Sequence, residues 1–150
     1  MNLGSEEAGQ ASPARDVDAS AQVFLHPSLT CFVLLSKFLG TPADPGQILH
    51  ERGKGDDLFT LEDLSRTAKR LGLIARVKKA ELAEYRQLPL PALAELRDGT
   101  AVILLKIEDE SLNPRYLIQR GDAERPEVWS GEEAMDRFSG RLLLMTSREA

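Results

Sequence analysis

Around Gly72 the apolar residues change their period, and no other feature restricts the chain as much. Before it, in TLEDLSRTAKRLG (60–72), Leu61, Leu64, Ala68 and Leu71 recur at three- and four-residue steps, the spacing of one helix face. After it, LIARVK (73–78) alternates apolar and polar, the spacing of a strand with one buried face. Helical signals fill the first half of the chain and strand signals the second. That order predicts an α+β domain with helices packed on an antiparallel sheet.

The punctuation supports this division. Ser28 is placed to cap a helix carrying Leu29, Phe32, Val33, Leu35 and Phe38, with Gly40 at its end. Asp44-Pro45 reads as a cap followed by proline at the first helical position, opening a short helix through Ile48 and Leu49. GKGDD is a polar loop, and Thr60 with Asp63 comes close to a capping box. In the second half, ELAEYRQL predicts one short helical turn. PALAEL and AVILLKI flank RDGT, whose Asp98-Gly99 signals a hairpin. RYLIQ and EVW read as strands, Ser130 and Glu133 as a capping box for a helix ending near Gly140, and RLLLMTS as the closing strand.

Length and composition exclude several classes. At 150 residues the chain is one domain's worth, enough to bury roughly 70% of its unfolded surface without a staple. Its net charge of −5 and lack of a basic stripe argue against nucleic acid as a partner. Cys31 is the only cysteine, so neither an internal disulfide nor a cysteine-based zinc site is available. No apolar run approaches the ~18 residues of a membrane span, and the start lacks a secretory signal, so the segment does not enter the membrane and reads as cytoplasmic. Residues 1–22 lack large apolar side chains after Leu3 and are expected to form a disordered tail ahead of a domain over 23–150.

Chemistry-bearing residues are few. Cys31 sits one turn into the first helix, where it gains little from the helix start, and His26 five residues earlier makes an awkward partner. His50 falls near the end of the second helix, in the manner of a surface or capping residue. Cys31 therefore reads as a buried small apolar residue. Tyr116 and Trp129, two of only eight aromatic residues, either complete the core or offer contact area to an extended peptide, and both are taken as candidate substrate-binding residues. Arg76, Lys78 and Lys79 suggest a solvated strand edge. KIEDE and GDD lack the ligand spacing of a calcium loop, so no metal site is expected. The phosphate-loop pattern is missing throughout, so no cofactor is expected in this domain.

Several phrases in order, TCFVLLSKFLGTPADPGQILHER, LPLPALAELRDGTAVILLKI, RYLIQ and FSGRLLLMTSR, resemble the bacteriocin-processing (double-glycine) cysteine peptidases. The resemblance covers residues 24–148 and is nearer to the inactive relatives at the front of type I secretion ABC transporters for toxins and adhesins. It implies a papain-like cysteine-peptidase fold. In active members an Asp-Cys-Gly opens the first helix, and those positions fall here on His26, Pro27 and Ser28. The general base after the hairpin falls on Ala101, and the orienting aspartate after the next strand on Arg120. The oxyanion glutamine falls on Ala21, with Gln22 one place away. Cysteine catalysis needs nucleophile, base and orienter in mutual reach, so the resemblance implies a degenerate, non-catalytic member with vestigial positions Pro27, Ala101 and Arg120. Arg120 is either a solvated loop charge or a contact for an acidic segment of a partner.

What the resemblance implies for function is tethering. The domain would be the front part of a longer transporter, on the cytoplasmic side of the bacterial inner membrane, with ATP handled only downstream. Its partner would be an unfolded secreted protein, a repeat-containing toxin or adhesin. A module contacting the transporter's other domains is the alternative, and a residual peptidase a third. Two candidate surfaces are open at this point, the old cleft between the first helix and the hairpin and an exposed sheet edge.

Overall fold

The computed structural model describes residues 26–52, 59–110 and 113–148. The expected tail, the GKGDD loop and the positions Ala21 and Gln22 lie outside them. Three helices come first: α1 (Pro27–Phe38), α2 (Pro45–Arg52) and α3 (Leu61–Arg70). Then follow β1 (Ile74–Lys79), a 3₁₀ segment (Leu82–Gln87), β2 (Ala92–Leu96), β3 (Ala101–Glu110), β4 (Asn113–Gln119), β5 (Glu127–Trp129), α4 (Gly131–Arg137) and β6 (Phe138–Thr146). The strands form one antiparallel sheet in the order β1-β6-β2-β3-β4-β5. This is the predicted α+β arrangement.

Local signals place most element ends. Thr60 and Asp63 form a reciprocal capping box, each side chain taking the other's backbone N–H at 3.0–3.1 Å, an arrangement worth about 1 kcal/mol. Ser130 and Glu133 repeat it at α4. Gly72 and Gly40 follow α3 and α1 with positive φ, where a side chain would be strained. The β2–β3 turn is closed by the Gly99 N–H donating to the Leu96 carbonyl at 2.9 Å, with Gly99 at φ 93°. Arg97–Gly99 thus make a three-residue loop.

Two boundaries differ from expectation. Ser28 does not cap α1: the helix begins at Pro27 with His26 in the cap position, and Ser28 is buried inside the first turn. Proline's fixed φ and missing N–H suit it to that first position, so it starts the helix ahead of the serine. At the other end α4 stops at Arg137, and Phe138-Ser139-Gly140 already belong to β6. Phe138 is needed in the sheet, where it pairs with Leu96 and is buried.

The sheet divides two cores, and the two-residue period sorts side chains between them. Leu93, Ala101, Ile103, Leu143 and Met145 face the helices, meeting Leu29, Phe32, Leu35, Leu64 and Ala68. Their neighbours Ala92, Ala94, Val102, Leu104, Leu142 and Leu144 face the other way, toward Tyr85, Tyr116, Trp129, Ala134 and Phe138. Burial on both sides explains why AVILLKI and RLLLM read as nearly unbroken apolar runs. Those runs are the middle of the sheet.

Candidate functional site

Three elements meet where α1 crosses the sheet. The Cys31 thiol donates to the Gln119 carbonyl at the end of β4, with Sγ and O 3.8 Å apart. Just past Gln119, Gly121 lies so close to α1 that a Cβ there would stand 2.5 Å from Thr30 Cγ2. Gln119 braces this loop by donating from Nε2 to the carbonyls of Arg120 and Ala123, at 2.9 and 2.8 Å. The β2–β3 turn comes in from the side. Asp98 accepts from the Thr100 hydroxyl and N–H at 2.6 and 2.9 Å, which holds its carboxyl below the usual range, and Arg120 adds a smaller electrostatic pull. These contacts bring together the start of α1, the turn and the loop after β4, which carry Pro27, Ala101 and Arg120.

None of the three positions offers a nucleophile or a base. Pro27 is exposed at the first turn of α1, and Ala101 is buried against the helices. Arg120 is engaged: its Nε donates to Glu127 Oε2 at 2.9 Å, and its guanidinium lies 5.7 Å from the Trp129 ring centre. Glu127 also accepts from Trp129 Nε1 at 2.8 Å, the main cause of its lowered carboxyl pKa, with Arg120 second. Arg120 is thus a partly solvated charge that shares its guanidinium with Glu127 and the Trp129 ring.

Cys31 is fully buried, and burial pushes its thiol up to about 11. A nucleophilic cysteine needs the opposite shift. His26 stacks edge-on against Phe59 at 5.1 Å, and His50 is exposed in the last turn of α2. Cys31 as a small core residue agrees with this geometry. The two candidate substrate-binding residues do not fare as predicted. Tyr116 and Trp129 are 2% and 1% exposed and belong to the second core, so neither presents a ring face to a peptide. A ring's amphipathic character does not reveal which side of a strand it occupies, and here register turned both inward.

Sequence reasoning missed the apolar surface beside this corner. Leu34 and Phe38, one turn apart on α1, are 41% and 72% exposed. With Pro91, Leu105, Ala123 and Glu124 they line an open groove of about 450 Å³. The signal was present in the sequence, since Phe38 lies four residues after Leu34. Phe38 was counted with the apolar residues of α1 and Leu34 was passed over. Among the described residues no cluster of three metal-ligating side chains occurs, and no helix is long and apolar enough to cross a membrane.

Known proteins share this architecture. The peptidase C39 family matches residues 27–150. The chain is 34% identical over 112 residues to the cyclolysin secretion/processing ATP-binding protein of Bordetella pertussis, covering 69% of this chain and 15% of that protein. It is 31% identical over 123 residues to a leukotoxin translocation ATP-binding protein of a Pasteurella haemolytica-like species, covering 80% and 17%. The chain thus spans less than a fifth of the length of these curated relatives. Among solved structures, the N-terminal peptidase C39-like domain of the toxin secretion ATP-binding protein from Vibrio parahaemolyticus superposes with a TM-score of 0.70 at 25% identity, covering 82% of this chain and 98% of that one. A double-glycine-motif protease from an AMS/PCAT transporter, solved with its leader peptide, reaches 0.71 at 15% identity, covering 82% and 85%, a likeness of fold.

Proposed function

The chain belongs to the peptidase C39 family, and from that premise we propose that it is a non-catalytic member: a docking domain of a type I secretion ABC transporter. It holds an unfolded secreted protein, a toxin or adhesin, at the cytoplasmic side of the membrane, while ATP is bound elsewhere in the transporter. The observation that carries the reading is the corner just described. The three positions where the family resemblance expects nucleophile, base and orienter hold Pro27, Ala101 and Arg120, and the nearby thiol of Cys31 is buried and protonated. The neighbouring groove supplies a surface that needs no chemistry. An apolar segment of an unfolded chain laid against Leu34 and Phe38 covers side chains that otherwise face water. A weak contact suffices, since tethering raises the local concentration of cargo and the cargo must still leave.

The test is a titration of the isotope-labelled chain with the carboxy-terminal part of a secreted toxin, in unfolded and folded forms. The expected result is a contiguous set of amide shifts around Leu34, Phe38 and Leu105 with the unfolded form alone, abolished by Phe38→Ser. No shift with either form would overturn docking in favour of a module that contacts the transporter's own domains. Cleavage of a double-glycine leader peptide that disappears in Cys31→Ala would overturn the non-catalytic assignment.

A further inference from the structure

Arg66, Arg70, Arg86, Lys106, Arg120, Arg137 and Arg141 each hold a carboxylate. Several other cations do not, and three of those, Arg76, Lys78 and Lys79, are gathered on one strand: no acidic side chain among the described residues lies within ion-pair distance of them, although the chain as a whole carries a net charge of −5. All three lie on β1. Among the described residues β1 has a strand neighbour on one side only, pairing with β6 from Ile74↔Thr146 to Lys79↔Arg141. In an antiparallel pair, half of a strand's backbone N–H and C=O groups point away from the partner, and among the described residues no strand takes those of the six-residue β1.

The side chains add direction. Ile74, Arg76 and Lys78 alternate onto one face, Ile74 opposite Thr146 and the two cations opposite Leu144 and Leu142 of the second core. Ile74 is 54% exposed. The edge therefore carries, along one face, an apolar side chain and then two cations at two-residue spacing. Lysines on an edge oppose strand addition in general. Here they do so selectively, because a second copy of β1 would set cations against cations, whereas a strand bearing carboxylates would neutralise them.

We infer that the β1 edge is a docking site for an extended acidic polypeptide segment. The segment adds as a seventh strand, with carboxylates at alternate positions facing Arg76 and Lys78 and an apolar side chain facing Ile74. This surface is separate from the groove beside α1, lying three strands away in the sheet, and it stands whether or not that groove binds cargo.

The experiment uses the labelled 150-residue chain and three capped synthetic octapeptides. One alternates glutamate with valine or threonine, one has the same composition with the glutamates grouped at one end, and one replaces glutamate by lysine. The alternating acidic peptide is expected to shift the amides of Ile74–Lys79. Its affinity should fall about tenfold in the double variant Arg76→Glu, Lys78→Glu, and fall again when salt is raised from about 0.05 to 0.5 M, as screening weakens exposed charge pairs. Equal binding by the lysine or the grouped peptide would overturn the proposal, as would no shift on β1. So would β1 shifts that grow with protein concentration alone, which would make a second copy the occupant. If the double variant lost its native spectrum, Arg76→Ala with Lys78→Ala tests the same loss with less perturbation. Loss of toxin binding in Phe38→Ser with intact peptide binding at β1 would separate the two surfaces. Unaltered peptide affinity in both double variants would sink the edge assignment while leaving the groove untouched.

Discussion

The two faces of the sheet are covered in different ways. On one, three helices supply a mainly aliphatic core. On the other, the cover is a six-residue 3₁₀ segment and a seven-residue helix, and the core is built around four aromatic rings. Tyr85, Tyr116 and Trp129 all stack on Phe138, with ring centres 5.3–6.0 Å apart. Short elements cannot carry many apolar residues, so large rings provide the buried area instead. Arg137 closes the layer from outside, 4.8 Å from the Trp129 ring centre. The aromatic rings are therefore spent on stability. The exposed apolar surface of α1 lies on the helical side, beside Pro27 and Ala101.

The sharpest way to break this comparison is Trp129→Ala. It removes a fully buried ring and leaves Glu127 without its indole donor, and urea denaturation should show a loss of about 3–5 kcal/mol. A loss below about 1 kcal/mol would mean the rings do not hold the thin face. On the helical side the informative residue is Cys31, whose thiol rises from 9.0 to about 11 on burial. Between those values the unfolded chain gives up this proton and the folded chain keeps it, so stability falls as pH rises from 9 to 11. The contribution is about 2–3 kcal/mol, and Cys31→Ala should flatten that part of the stability–pH curve. A curve unchanged by the substitution would mean the thiol is not held protonated. The smallest effect belongs to Arg120→Ala. Both partners of its pair with Glu127 are more than a third exposed, so water and salt screen it, and thermal melts should show at most about 0.5 kcal/mol. A larger loss would make the pair a structural tie between the β4–β5 loop and the aromatic face.

Much of the fold was legible because it is encoded locally. Thr60–Asp63, Ser130–Glu133 and Asp98–Gly99 each specify an element end within a few residues, and the structure places all three as read. Ser28 misled because a good cap residue stood one place after a proline, and the proline's fixed geometry decided the start. Phe138 misled because a helical phrase ran directly into a strand with no breaker between them. The site was legible in part. That Cys31 is a buried residue followed from its place on the helix. That Tyr116 and Trp129 are buried did not follow from their type, since it depends on the register of β4 against β3 and β5, set by residues far apart in sequence. The exposure of Phe38 was hidden for a related reason. Which part of an apolar helix stays uncovered depends on how far its neighbours extend.

The strand order has a consequence for synthesis. β6, the last strand made, lies between β1 and β2, which are made much earlier. A nascent chain that has emerged only as far as Arg137 holds β1 with no neighbour in the sheet and β2 through β5 as a separate ribbon. At translation rates of about 5–20 residues per second, that divided state persists for about 0.5–2 s before Phe138–Thr146 can insert and join the halves. Throughout that interval β1 is open on both sides, and its three cations are then its principal protection against joining the wrong strand.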